Sequence, residues 1–80
     1  MKVKLVAYGI AKDILGNSKL ELELEHSYSI QSLKTMLVQG YPAFTKLNNL
    51  RFAVNEEYQN DDYILEPNDE VVIIPPVSGG

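Results

Sequence analysis

Cysteine is absent from the eighty residues of this chain, and histidine occurs once, at His26. The first absence excludes a disulfide framework, a Cys-based metal site and a thiol nucleophile, and it fits a reducing compartment. The second leaves no pair of imidazoles for a metal and no Ser-His-Asp grouping with a sequence context of its own. His26 follows Glu25 at the end of a strand-like stretch and reads as a solvated turn residue. Long hydrophobic runs are missing too. The opening MKVKLVAYGIAKDILG is too short and too interrupted in its apolar part for a signal peptide or a membrane span. The expectation is a soluble, cytoplasmic protein with no membrane partner. Basic residues are sparse and scattered, 7 Lys and Arg against 11 Asp and Glu, for a net charge of −4. Phosphate binding needs clustered cations, so nucleic acid is not an expected partner, and a basic protein surface suits this chain better. Gly9, Gly16 and Gly40 stand apart and form no phosphate-cradling loop. Asp61-Asp62 and Glu56-Glu57 read as polar loops rather than cation sites.

What remains is a small globular chain. An apolar share of 45% supplies one modest core and argues against disorder. The length leaves no room for a deep enzyme cleft and the walls to support it. KVKLVAY alternates Lys2 and Lys4 against Val3 and Leu5 and reads as a first strand entering the core. Gly9 to Gly16 brackets a short helical turn with Ile10, Ile14 and Leu15 on one face. SKLELELEH is the clearest strand, with Leu20, Leu22 and Leu24 on one side and Glu21, Glu23 and Glu25 on the other. The Glu row suits a position across from Lys2 and Lys4. SIQSLKTMLVQGYP predicts the main helix, capped by Ser29, with Ile30, Leu33, Met36, Leu37 and Tyr41 as its apolar stripe. Gly40 and Pro42 stop it.

LRFAVN reads as a strand ending at Asn55, a residue suited to positive φ. EEYQNDDYIL is a polar stretch anchored by Tyr58, Tyr63 and Ile64, and EPNDE is a tight turn. VVIIPP is a continuous apolar strand ended by Pro75, as expected of a central strand. The order predicts an α+β architecture: one main helix on one face of a mixed sheet, with the first and last strands side by side in its middle. This is the order of a β-grasp fold. The domain is expected over residues 1–76, with a flexible tail over 77–80.

The tail is where chemistry remains. The chain ends PPVSGG. A terminal Gly-Gly arises by chance in about 0.5% of sequences at ordinary glycine usage, and such an end can simply be frayed. Here it follows a core strand closely. Pro75-Pro76 stiffens the exit, Val77 and Ser78 are small, and Gly79 and Gly80 carry no Cβ to obstruct a narrow channel. Residues 75–80, extended, reach roughly 20 Å, enough to bring a carboxylate into a partner's active site. ATP can activate that carboxylate as a mixed anhydride with AMP. A sulfur nucleophile then gives a thiocarboxylate, and a lysine amine gives an isopeptide.

AVNEEY, NDEVVIIPPVSGG and the opening VKLVAYGIAKDILG resemble, across essentially the whole chain, the MoaD and ThiS ubiquitin-like sulfur-carrier family. PPVSGG is the most specific part, because the thiamin branch usually lacks the Pro-Pro-Val lead-in. Tyr8 and Ile74 stand where the family often has Phe, and Lys12 where Arg is common. The resemblance implies an ubiquitin-like β-grasp fold and a carrier that binds no cofactor and is not an enzyme alone. It implies that an E1-like, MoeB-like partner uses ATP to adenylate Gly80. It further implies a thiocarboxylate at Gly80, tail insertion into a MoaE-like large subunit within a heterotetramer, and sulfur transfer to a pterin precursor, forming the dithiolene of the molybdenum cofactor. Val77, Ser78 and Gly79 would thread the channel. Tyr8, Tyr58, Ile74, Pro75 and Pro76 would form the interface at the tail's base. A carrier for thiamin or another sulfur product, a protein modifier joined through Gly80 to lysines, and a passive adaptor with an idle tail are the alternatives.

Overall fold

The computed structural model describes residues 1–47 and 50–75. Eight elements follow in order: β1 (Lys2–Ala7), α1 (Gly9–Leu15), β2 (Lys19–Glu23), α2 (Ile30–Gly40), a 3-10 turn (Pro42–Lys46), β3 (Arg51–Val54), β4 (Glu57–Gln59) and β5 (Glu70–Ile74). The five strands form one sheet in the order β2-β1-β5-β3-β4. β1 and β5 run parallel in the middle, and the other neighbours are antiparallel. The α+β expectation, with first and last strands adjacent, therefore holds.

The period of two in β2 meets β1 with Leu5 opposite Leu20 and Val3 opposite Leu22. The same register sets Lys4 opposite Glu21 and Lys2 opposite Glu23, as the charge rows suggest. Glu23 is instead paired with the Met1 ammonium, at 3.1 Å. The covered face of the sheet contributes Val3, Leu5, Ala7, Phe52, Val54, Val71 and Ile73, and α2 lays Ile30, Leu33 and Leu37 into the same core. Burial of these side chains is the main stabilising term, at about 1.5–3 kcal/mol for each large one.

Helix α2 begins where its sequence says it should. The Ser29 hydroxyl accepts the Ser32 N–H at 3.0 Å. The first-turn N–H groups of Ile30 and Gln31 donate to the carbonyls of Tyr63 and Asp61, so the polar loop after β4 completes the cap. Gly40 does not end the helix as a left-handed cap. It is the last helical residue, Tyr41 follows, and Pro42 opens the 3-10 turn that buries Phe44. Proline tolerates the first helical position because its missing N–H has no partner there anyway. In α1 the buried residues are Ala11 and Leu15, whereas Ile10 is exposed. The helix rests its small side on the sheet, and a bulky residue is turned outward. Gly16 closes α1 at φ 79° and donates to the Lys12 carbonyl, a geometry that glycine adopts without a Cβ penalty.

The polar stretch expected to be anchored by Tyr58, Tyr63 and Ile64 holds a short strand, β4, whose partner β3 is reached through a two-residue turn at Asn55 and Glu56, with φ of 50° and 74°. Two successive left-handed residues make the turn type whose twist matches a hairpin. The anchor of the following loop is Leu65, fully buried, while Ile64 is exposed. Asp69 is the one buried charged residue among those described. Its carboxylate accepts from Asn55 Nδ2 at 2.9 Å, the Glu66 N–H at 2.8 Å and, more distantly, the Tyr63 hydroxyl at 3.4 Å. Burial, then the nearby Asp69 carboxylate, hold the Tyr63 phenol above its usual range, so it stays a neutral donor.

Candidate functional site at the base of the C-terminal tail

Strand β5 ends at Ile74, still paired with β3, and Pro75 is the last described residue. Pro76, Val77, Ser78, Gly79 and Gly80 lie outside the described residues, as does the expected boundary at residue 76. Tyr8, Tyr58 and Ile74 come from distant parts of the sequence, and strand pairing decides where they fall. Ala7 is in register with Ile73, which places Tyr8, one residue on, beside Ile74. Ile74 is in turn opposite Arg51. One step further in, Val6, Val72, Ala53 and Tyr58 stand in register across β1, β5, β3 and β4.

Directly opposed residues share a face, and neighbours along a strand alternate. Ile73 and Phe52 point into the core, so Ile74, Val72, Arg51, Ala53 and Tyr58 belong to the opposite, helix-free face. Tyr8 is 61% and Tyr58 63% exposed, too open for core residues. Ile74, Pro75 and Val72 are half-buried. The result is a mainly apolar and aromatic face at the point where the tail leaves.

Sequence reasoning missed Arg51. It is the chain's single arginine, and its guanidinium carbon lies 5.8 Å from the centre of the Tyr58 ring. A hollow of about 570 Å³ opens beside it at the end of the β3–β4 ladder, lined by Lys34, Phe52, Tyr58 and Asp61 among others. Lys34 is already committed there, with its Nζ 2.6 Å from Asp61 and 5.9 Å from the centre of the Phe52 ring. Alternation in RFAVN signals which face Arg51 occupies, but its place beside Ile74 depends on a register that sequence does not print. His26 is an exposed turn residue, and no cluster of three or more metal-ligating side chains exists among the described residues. No helix among them is long and apolar enough to cross a membrane.

Residues 7–80 match the ThiS family. The chain belongs to that family. It is 31% identical over 81 residues to the molybdopterin synthase sulfur carrier subunit of Arabidopsis thaliana, covering 100% of this chain and 84% of the relative. In structure it is similar to SAMP1 of Haloferax volcanii, a small archaeal modifier protein, with a TM-score of 0.83 at 17% identity and full coverage of both chains. It is also similar to a chain in the complex of subunits 1 and 2 of the molybdopterin-converting factor from Helicobacter pylori, with a TM-score of 0.69, 21% identity and full coverage of both. At these identities the structural likeness establishes the ubiquitin-like β-grasp fold.

Proposed function

We infer that this chain is the sulfur-carrier subunit of a molybdopterin synthase, acting in molybdenum cofactor biosynthesis as one part of a sulfurtransferase complex. The carrying observation is whole-chain kinship: sulfur carrier subunits of molybdopterin synthase match it from end to end at about 31% identity. The apolar face around Tyr8, Tyr58 and Ile74, at the tail's exit, supports a carrier that docks and delivers.

Gly80 is the reacting residue. A carboxylate oxygen attacks the α-phosphorus of ATP on an E1-like, MoeB-like enzyme, and pyrophosphate leaves. A hydrosulfide ion released by a sulfur donor attacks the resulting acyl adenylate and expels AMP, leaving a thiocarboxylate on Gly80. The sulfur, softer and more readily ionised than the oxygen it replaces, then attacks a carbon of the pterin precursor; water cleaves the resulting acyl–sulfur bond, which leaves the sulfur on the precursor and returns the carboxylate. This chain supplies position rather than acid or base groups. Val77, Ser78 and Gly79 thread the partner's channel, and the sheet face with Pro75 and Pro76 sets where the tail begins. A MoaE-like large subunit, paired in a heterotetramer, receives it.

The test is the intact mass of the protein isolated from its host, together with a variant carrying one residue after Gly80. Replacement of one terminal oxygen by sulfur is expected in the native chain. The extended variant should fold with an unchanged midpoint and accept neither AMP nor sulfur, because the reaction occurs at the last atom. An extended variant that still delivers sulfur overturns the reading. Isopeptide adducts on many proteins, without a thiocarboxylate, would replace it with that of a protein modifier.

A further inference from the structure

Arg51 has no role in the reading above, and its setting is unusual for an acidic chain of net charge −4. The row nearest the tail exit runs Tyr8, Ile74, Arg51 across β1, β5 and β3. The next row runs Val6, Val72, Ala53, Tyr58. Val6 and Ala53 are buried, so Tyr8, Ile74, Arg51, Val72 and Tyr58 make up the accessible face at the base of the tail, and the single charge among them is positive. Among the described residues Arg51 makes no ion pair, and its side chain forms no hydrogen bond. Nearby Asp61 is taken by Lys34 at 2.6 Å. What Arg51 does have is the Tyr58 ring: its guanidinium carbon lies over that ring, 5.8 Å from the centre, and a guanidinium on an aromatic face keeps its in-plane N–H donors available to an acceptor.

Covering this face with an apolar partner would strip water from a guanidinium that has no acceptor among the described residues, which is costly unless the partner brings one. A carboxylate fits the planar fork by two parallel hydrogen bonds. We propose that Arg51, stacked on Tyr58 beside Ile74, recognises an Asp or Glu carboxylate of the synthase large subunit and so fixes the orientation in which the tail enters. This rests on the sulfur-carrier reading and adds a specificity-determining residue to it. The apolar neighbours supply contact area but little orientation, because apolar contact is not directional. A single fork-shaped cation beside the exit of the tail supplies the missing direction.

The experiment measures the dissociation constant of the full chain for the large subunit from the same organism, at low and high salt, for wild type, R51Q and R51K. Thermal midpoints of the lone chains serve as controls. Expected is a loss of roughly tenfold or more for R51Q, with a flatter salt dependence than wild type and an unchanged midpoint. R51K, which keeps the charge but not the fork, should recover only part of the affinity. R51Q binding like wild type with the same salt dependence overturns the role of Arg51 and leaves the sulfur-carrier reading standing. R51K binding like wild type overturns the two-bond recognition. Failure of wild type itself to bind overturns both this inference and the large-subunit partnership.

Discussion

Asp69 shows how much one residue can organise. Its carboxylate is buried, and it ties its own loop, through the Glu66 N–H and the Tyr63 hydroxyl, to the β3–β4 turn through Asn55. Its own carbonyl accepts the Lys4 N–H at 2.9 Å, just ahead of the parallel β1–β5 ladder. Asn55 completes the arrangement by accepting the Glu70 N–H at 3.0 Å through its side chain. The start of the central strand is therefore pinned from both sides, and that strand leads to the tail. Asp69→Ala would leave the Asn55 amide and the Glu66 N–H without their acceptor in a partly buried place. A loss of about 2 kcal/mol of stability is expected, measured by urea unfolding, because orphaned buried donors cost more than the bond itself contributes. A loss within a few tenths of a kcal/mol would mean that water replaces the carboxylate without penalty.

Among the elements, those that announce themselves in the sequence do so through a strong local signal. Strand β2 alternates without a fault, α2 has its serine cap and its stripe, and β5 is a continuous apolar run. Strand β4 was not legible, because three residues, Glu57, Tyr58 and Gln59, contain no period, and pairing with β3 alone makes them a strand. The 3-10 turn was hidden behind Pro42, which reads as a stop and acts as a start. Phe44 and Leu65 enter the core because the chain turns back upon it, a tertiary event with no local mark. The β3–β4 hairpin gives the sharpest test at this scale. Asn55 tolerates φ 50°, but Glu56 sits at φ 74° with a Cβ that disfavours it. Glu56→Gly is expected to stabilise the domain by roughly 0.5–1 kcal/mol, since Asn-Gly is the preferred pair for this turn. The denaturation midpoint of the lone chain reports it, and a drop would show that the Glu56 side chain holds the hairpin by a contact of its own.

At the scale of the whole molecule, the two faces of the sheet are given to different tasks. One is sealed by α2 and the core, while the other is left with Tyr8, Ile74 and Tyr58 at the place where the tail departs. Which face a residue joins was legible from alternation. That these three meet was not, since it depends on β1 and β5 pairing in parallel and on the register that sets Ala53 against both Val72 and Tyr58. The proposed reaction at Gly80 needs such a face, because chain and partner must be aligned before the last residue can reach its chemistry. Tyr58→Asp tests this division of labour. At 63% exposure, Tyr58 contributes little to the free domain, so the thermal midpoint of the lone chain should barely move. Binding to the large subunit should weaken by about 2 kcal/mol or more, roughly thirtyfold, because an unpaired carboxylate would be buried in an apolar contact. Unchanged affinity would place the interface on another face. A collapsed midpoint together with weakened binding would make Tyr58 a stability residue, whose loss acts through the fold rather than through docking.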